Sequence, residues 1–266
     1  MVSSNINVNF KGGTLINPPL YPVNNVQTKS APQSFDTYTP SAGSSSSATK
    51  KTLSKIQDSF LPDISPKAFI DKYSNRNFVE RAIQNNPNIT QILEKNNIPI
   101  KIEEENIRAS IDSHFIPTSK YANMIMKNSG ETFSKNDYKV MKQAALLHDI
   151  GKILVPFEVL NKKGKLTDQE YNIIKLHEEL GYEILRSSDL DPDVINLVNS
   201  HHDYKNKAAR TTLAQILSVA DIYSALKENR PYRSALSNEE AFEILEQGAK
   251  EGKYDIKYVN ILKESV

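Results

Sequence analysis

The chain has 266 residues, with 33 Lys and Arg against 32 Asp and Glu, so its formal charge is only +1. That balance excludes a bulk field directed at a DNA backbone or an acidic membrane. The absence of cysteine removes disulfides, Cys-ligated zinc, iron–sulfur clusters and thiol nucleophiles together, so any metal must rest on His, Asp, Glu or carbonyl oxygen.

Apolar runs such as Ala144 to Leu147 fall far short of the roughly 20 residues that span a bilayer. No secretory pattern opens the chain, and the cytoplasm is the expected location.

Residues 1–51 are rich in Asn, Ser, Pro and Thr, with Pro18-Pro19, Pro40 and the run Ser44 to Ser47, and show no sustained period of 2 or 3.6. Such a composition cannot offset its ordering entropy, which predicts a disordered low-complexity tail. Residues 52–105 carry short helical patterns. Pro66 suits the first turn of a helix through Phe69 and Ile70, followed by Phe78 to Ile83 and Ile89 to Leu93. They predict a small helical lead-in without legible chemistry.

Residues 106–266 give sharper signals. Ser134 with Asp137, Thr167 with Glu170 and Ser237 with Glu240 have the spacing of a reciprocal helix cap. Asp191-Pro192 places a capping acid before a proline at the first helical position. Stripes follow these starts: Met141, Ala145 and His148; Ile173, Ile174, His177, Leu180 and Ile184; Ile195, Val198 and His202. Leu213, Leu217, Ala220 and Ser224 form another. The expected fold class is all-α, with no strand.

All five histidines, His114, His148, His177, His201 and His202, fall between positions 114 and 202. One histidine on an apolar stripe is ordinarily a hydrogen-bonded core residue. Several on the inward stripes of packed helices would converge, and burying them without partners costs a few kcal/mol each. A bound cation relieves that cost. Asp221 sits on an otherwise apolar helix, where a carboxylate is expensive unless paired or bound to metal. The run His148-Asp149-Ile150-Gly151-Lys152 adds a nitrogen ligand, a carboxylate able to bridge two ions and a cation. Phosphate ester hydrolysis uses such parts.

These residues resemble the HD superfamily of metal-dependent phosphohydrolases, and within it the HD-GYP branch. Ala144 to Lys152 is similar to the signature, and Pro156 with Leu160 to Thr167 matches the segment that follows. His177 to Gly181, His201-His202, Val219-Ala220-Asp221, Ala225-Leu226, Arg230 to Arg233 and Glu240-Ala241 continue the match in order.

The resemblance implies an HD-domain helical bundle over 106–266 holding two divalent transition-metal ions, iron or manganese by preference. Asp149 would bridge them. His114, His148 and Asp221 would complete one ion, and His177, His201 and His202 the other. Lys152 would contact the scissile phosphate, while Arg230 and Arg233 would hold the nucleotide. The implied substrate is a small nucleotide, cyclic di-GMP in this branch, with no DNA or membrane partner. The alternatives are hydrolysis of another nucleotide or phosphate ester, and a non-catalytic nucleotide-binding module.

Two features depart from the branch. The glycine-rich stretch ending in Gly-Tyr-Pro is absent, since Asp203 to Arg210 contains neither glycine nor proline. Pro117, three residues after His114, predicts a break in the helix there.

Overall fold

The computed structural model describes residues 64–204, 210–229 and 234–266. The expected tail at 1–51, the lead-in up to residue 63, the loop at 205–209 and the stretch from Arg230 to Arg233 lie outside the described residues. Every regular element described is a helix, and none is long and apolar enough to cross a membrane.

Three short helices come first: α1 (Pro66–Ser74), α2 (Arg76–Asn85) and α3 (Pro87–Lys95). Each begins at a side-chain cap, from Ser65, Asn75 and Asn86 in turn. A five-residue helix, α4 (Glu104–Arg108), leads through a wide turn at Ile111–Phe115 into α5 (Ile116–Asn128). In that turn the Phe115 amide donates five residues back, to the Ser110 carbonyl, at 3.0 Å. The break expected at Pro117 is this turn. The proline itself occupies the second position of α5, where a missing N–H removes no helical bond.

Next come α6 (Lys135–Leu147), a tight 3-10 turn at Ile150–Leu154, α7 (Phe157–Leu160), α8 (Asp168–Lys175) and α9 (His177–Leu185). They are followed by α10 (Pro192–Ser200), α11 (Thr212–Lys227), α12 (Asn238–Lys250) and α13 (Ile256–Lys263). The reciprocal caps at Ser134, Thr167 and Ser237 all form, and Asp191 caps α10. The stripe from Ile173 to Ile184 predicts one helix, yet the structure breaks it at Leu176. There the His177 ring donates from Nδ1 to the Ile174 carbonyl at 2.7 Å, occupying an acceptor that a continuous helix would use.

The core is built around α6, which packs on α5 and α10, while α11 packs on α5 and α9 on α10. Leu147, Ile125, Val198, Leu217 and Leu180 are fully buried between them. The first helices dock on the same body. Asn86, the cap of α3, donates to the Glu183 carbonyl at 3.0 Å and to its carboxylate at 2.5 Å, and Tyr73 donates to Asp189 at 2.8 Å.

Candidate metal centre

Each of the five histidines has a hydrogen-bond partner at Nδ1. His148 and His201 each follow the last turn of a helix, α6 and α10, where backbone carbonyls lack partners. Their Nδ1 atoms donate to carbonyls three residues back, Ala145 at 2.9 Å and Val198 at 2.6 Å. His177 does the same at the head of α9. The Ser224 hydroxyl donates to the His114 carbonyl at 3.1 Å, so its lone pair receives His114 Nδ1–H at 3.2 Å. His202 Nδ1 lies 3.3 Å from the Tyr204 hydroxyl. With Nδ1 engaged, each ring turns Nε2 toward a shared interior.

The result is two groups of donor atoms: His114, His148, Asp149 and Asp221 in one, and His177, His201 and His202 in the other. Asp149 stands between them. Its Oδ2 lies 3.2 Å from His114 Nε2 and 3.3 Å from His148 Nε2, and its Oδ1 lies 3.2 Å from His177 Nε2. Asp221 Oδ1 faces His114 at 3.1 Å and His148 at 3.3 Å, while its Oδ2 reaches toward His202 at 3.6 Å. Lys152 Nζ meets Asp149 Oδ2 at 2.5 Å from a partly exposed side chain. Seven of the sequence-predicted residues plus Lys152 are thereby together; Arg230 and Arg233 lie outside the described residues.

The donor set fits cations. Burial pushes the His177 ring down to about 4 and His201 to about 3, with neighbouring rings adding to the effect at His201. Both are neutral lone-pair donors, and their Nε2 atoms face each other across 3.3 Å with no proton between. Asp149 Oδ1 is buried and accepts no hydrogen bond. Burial would raise Asp149, but Lys152 and His148 hold it well below the usual carboxylate range. Burial would likewise lower His148, yet Asp149 and Asp221 push it up to about 10. Imidazole nitrogen with carboxylate oxygen suits first-row transition metals.

The turn that carries Asp149 and Lys152 is clamped from two sides. Asn106, buried on α4, donates to the Lys152 carbonyl at 2.9 Å and to the Val155 carbonyl at 2.8 Å. The backbone carbonyl of Asn106 accepts the Ser110 hydroxyl at 3.3 Å. On the other side Gly151 packs directly on α9. Sequence reasoning missed Asn106, because an amide in a short acidic helix carries no periodic or spacing signal.

Part of the chain is similar in sequence to known proteins. The HD domain family matches residues 111–226, a span from the wide turn to the end of α11. Over these residues the chain resembles an HD domain. Among curated proteins, the chain is 33% identical over 138 residues to the cyclic di-GMP phosphodiesterase response regulator RpfG of Xanthomonas campestris, covering 48% of this chain and 36% of that one. It is 35% identical over 108 residues to the cyclic di-GMP phosphodiesterase PA4108 of Pseudomonas aeruginosa, covering 37% and 26%. It is 31% identical over 116 residues to 3'3'-cGAMP-specific phosphodiesterase 3 of Vibrio cholerae, covering 40% and 25%. The chain thus spans about a quarter to a third of the length of these relatives.

Proposed function

We propose that the chain is a metal-dependent phosphodiesterase of the HD-GYP type that hydrolyses a cyclic dinucleotide, with cyclic di-GMP as the first candidate. The observation that carries this reading is the Asp149 carboxylate, one oxygen toward each histidine group, with the Lys152 ammonium 2.5 Å away. In this reading His114, His148, Asp149 and Asp221 hold one divalent transition-metal ion, and His177, His201, His202 and Asp149 hold a second, iron or manganese by preference. Ions bound there supply Lewis acidity and lower the pKa of water.

The protein's own groups do the rest. The Nδ1–H bonds fix each imidazole so that Nε2 cannot turn away, and the Asn106 clamp fixes the backbone of Lys152. Lys152 offsets charge growing on the phosphoryl oxygens, a stabilisation expressed in the transition state. Arg230 and Arg233 bind the nucleotide, a role resting on the sequence resemblance.

Relatives named for cyclic di-GMP and for 3'3'-cGAMP support the class of cyclic dinucleotides without selecting one member of it. The test is a hydrolysis screen of iron- or manganese-loaded protein against cyclic di-GMP, 3'3'-cGAMP and a generic phosphodiester. Cleavage of a cyclic dinucleotide supports the proposal. Turnover of the generic ester alone assigns a broader phosphohydrolase, and no turnover assigns a binding module.

A further inference from the structure

Arg210 closes the segment that departs from the Gly-Tyr-Pro pattern, and its side chain turns inward. Its Nη2 lies 3.3 Å from the His201 carbonyl, 3.1 Å from the Ala214 carbonyl and 2.5 Å from the Ser218 hydroxyl. The Ser218 hydroxyl in turn donates to that same His201 carbonyl. The other amino group, Nη1, donates to the Lys253 carbonyl in the turn after α12. The guanidinium also stands 4.9 Å above the Tyr204 ring, whose hydroxyl is 3.3 Å from His202 Nδ1.

Both paired histidines are therefore held through one side chain, His201 by its carbonyl and His202 by way of Tyr204. His201 ends α10, so its carbonyl is one of those a helix leaves unsatisfied, and a cation there is also favoured by the helix dipole. Only a planar fork can serve several carbonyls and an aromatic face together; an ammonium is a single point donor.

We infer that Arg210 is a positioning residue for the His177, His201 and His202 group, setting its affinity for a cation without touching the cation. This inference rests on the metal-site reading above. It differs from a general stabilising role because His114, His148 and Asp221 have no bond to Arg210, so their group is spared when it is removed.

The experiment is an anaerobic titration of the full chain with Co²⁺, followed by visible absorption, with circular dichroism to monitor folding. Wild type binds in two phases, and the phase lost in His177→Ala belongs to the three-histidine group. Arg210→Ala weakens that phase by about ten- to a hundred-fold, the usual effect of removing a partner behind a metal ligand, and leaves the other unchanged. Arg210→Lys restores only part of the loss. Two phases like wild type in Arg210→Ala, or equal weakening of both, overturns the inference. If Arg210→Ala does not fold, Arg210→Lys decides: it keeps the charge but loses the fork that serves several carbonyls, and an unchanged three-histidine phase overturns the inference. A wild type that binds no Co²⁺ overturns the metal-site reading, and the inference with it.

Discussion

Gly151 lies so close to α9 that a Cβ added to it would stand 2.0 Å from the His177 carbonyl oxygen and 2.6 Å from the Gly181 nitrogen. Both obstacles are backbone, so neither can swing aside. The contact sets how near the turn bearing Asp149 comes to the helix bearing His177. Gly151→Ala should therefore cost at least about 1–3 kcal/mol, the usual penalty of overpacking, and should part Asp149 from His177. Thermal denaturation reads the first effect and Mn²⁺ uptake the second; a variant equal to wild type in both would refute the argument.

Asn106→Ala removes two donors from buried carbonyls at Lys152 and Val155. A buried acceptor left without a partner costs about 1–3 kcal/mol. The variant should melt earlier by that margin and lose turnover, because the Lys152 backbone is no longer fixed. Stability unchanged in a denaturant titration would show that water replaces the amide.

Lys152→Ala should lower kcat by about a hundred- to a thousand-fold while KM changes little, since the charge it meets develops in the transition state. Arg230→Ala should do the reverse and raise KM, because a guanidinium clasps phosphate already present in the ground state. Steady-state kinetics on the best substrate separate the two. Full kcat in Lys152→Ala would remove the role assigned to it.

Glu178 neighbours His177 and accepts the His202 amide at 3.3 Å. Burial, aided by the nearby Asp203, pushes its carboxyl up to about 8. An acid raised in the folded state is protonated in both states at low pH. Above about pH 4.5 the unfolded chain releases the proton while the folded chain keeps it, so stability falls until about pH 8. For protein freed of metal by chelation, Glu178→Gln should abolish that part of the decline. Parallel stability profiles for wild type and variant between pH 4.5 and 8 would contradict it.

The helical fold was legible because its starts are written in pairs such as Ser134 with Asp137, and its faces in apolar stripes, three of which carry a histidine. What the stripes could not show was where a helix stops short of its pattern. At Leu176 apolar spacing continues while the His177 side chain takes a backbone acceptor, a competition that leaves no mark on periodicity. Pro117 advertised a break at His114, though not that the break would be a wide turn delivering the ring into the site. Ser224 and Arg210 were beyond reach for another reason. Their meaning depends on carbonyls of residues distant in sequence, His114 and Lys253, and carbonyls have no sequence identity.

The most direct test of the bridged site is the metal content of protein loaded anaerobically with iron or manganese, for wild type and Asp149→Ala side by side. The account predicts close to two ions per chain in wild type and a clear drop in the variant, because both groups lose the carboxylate they share. No bound metal in wild type, or the same content in both proteins, would contradict it.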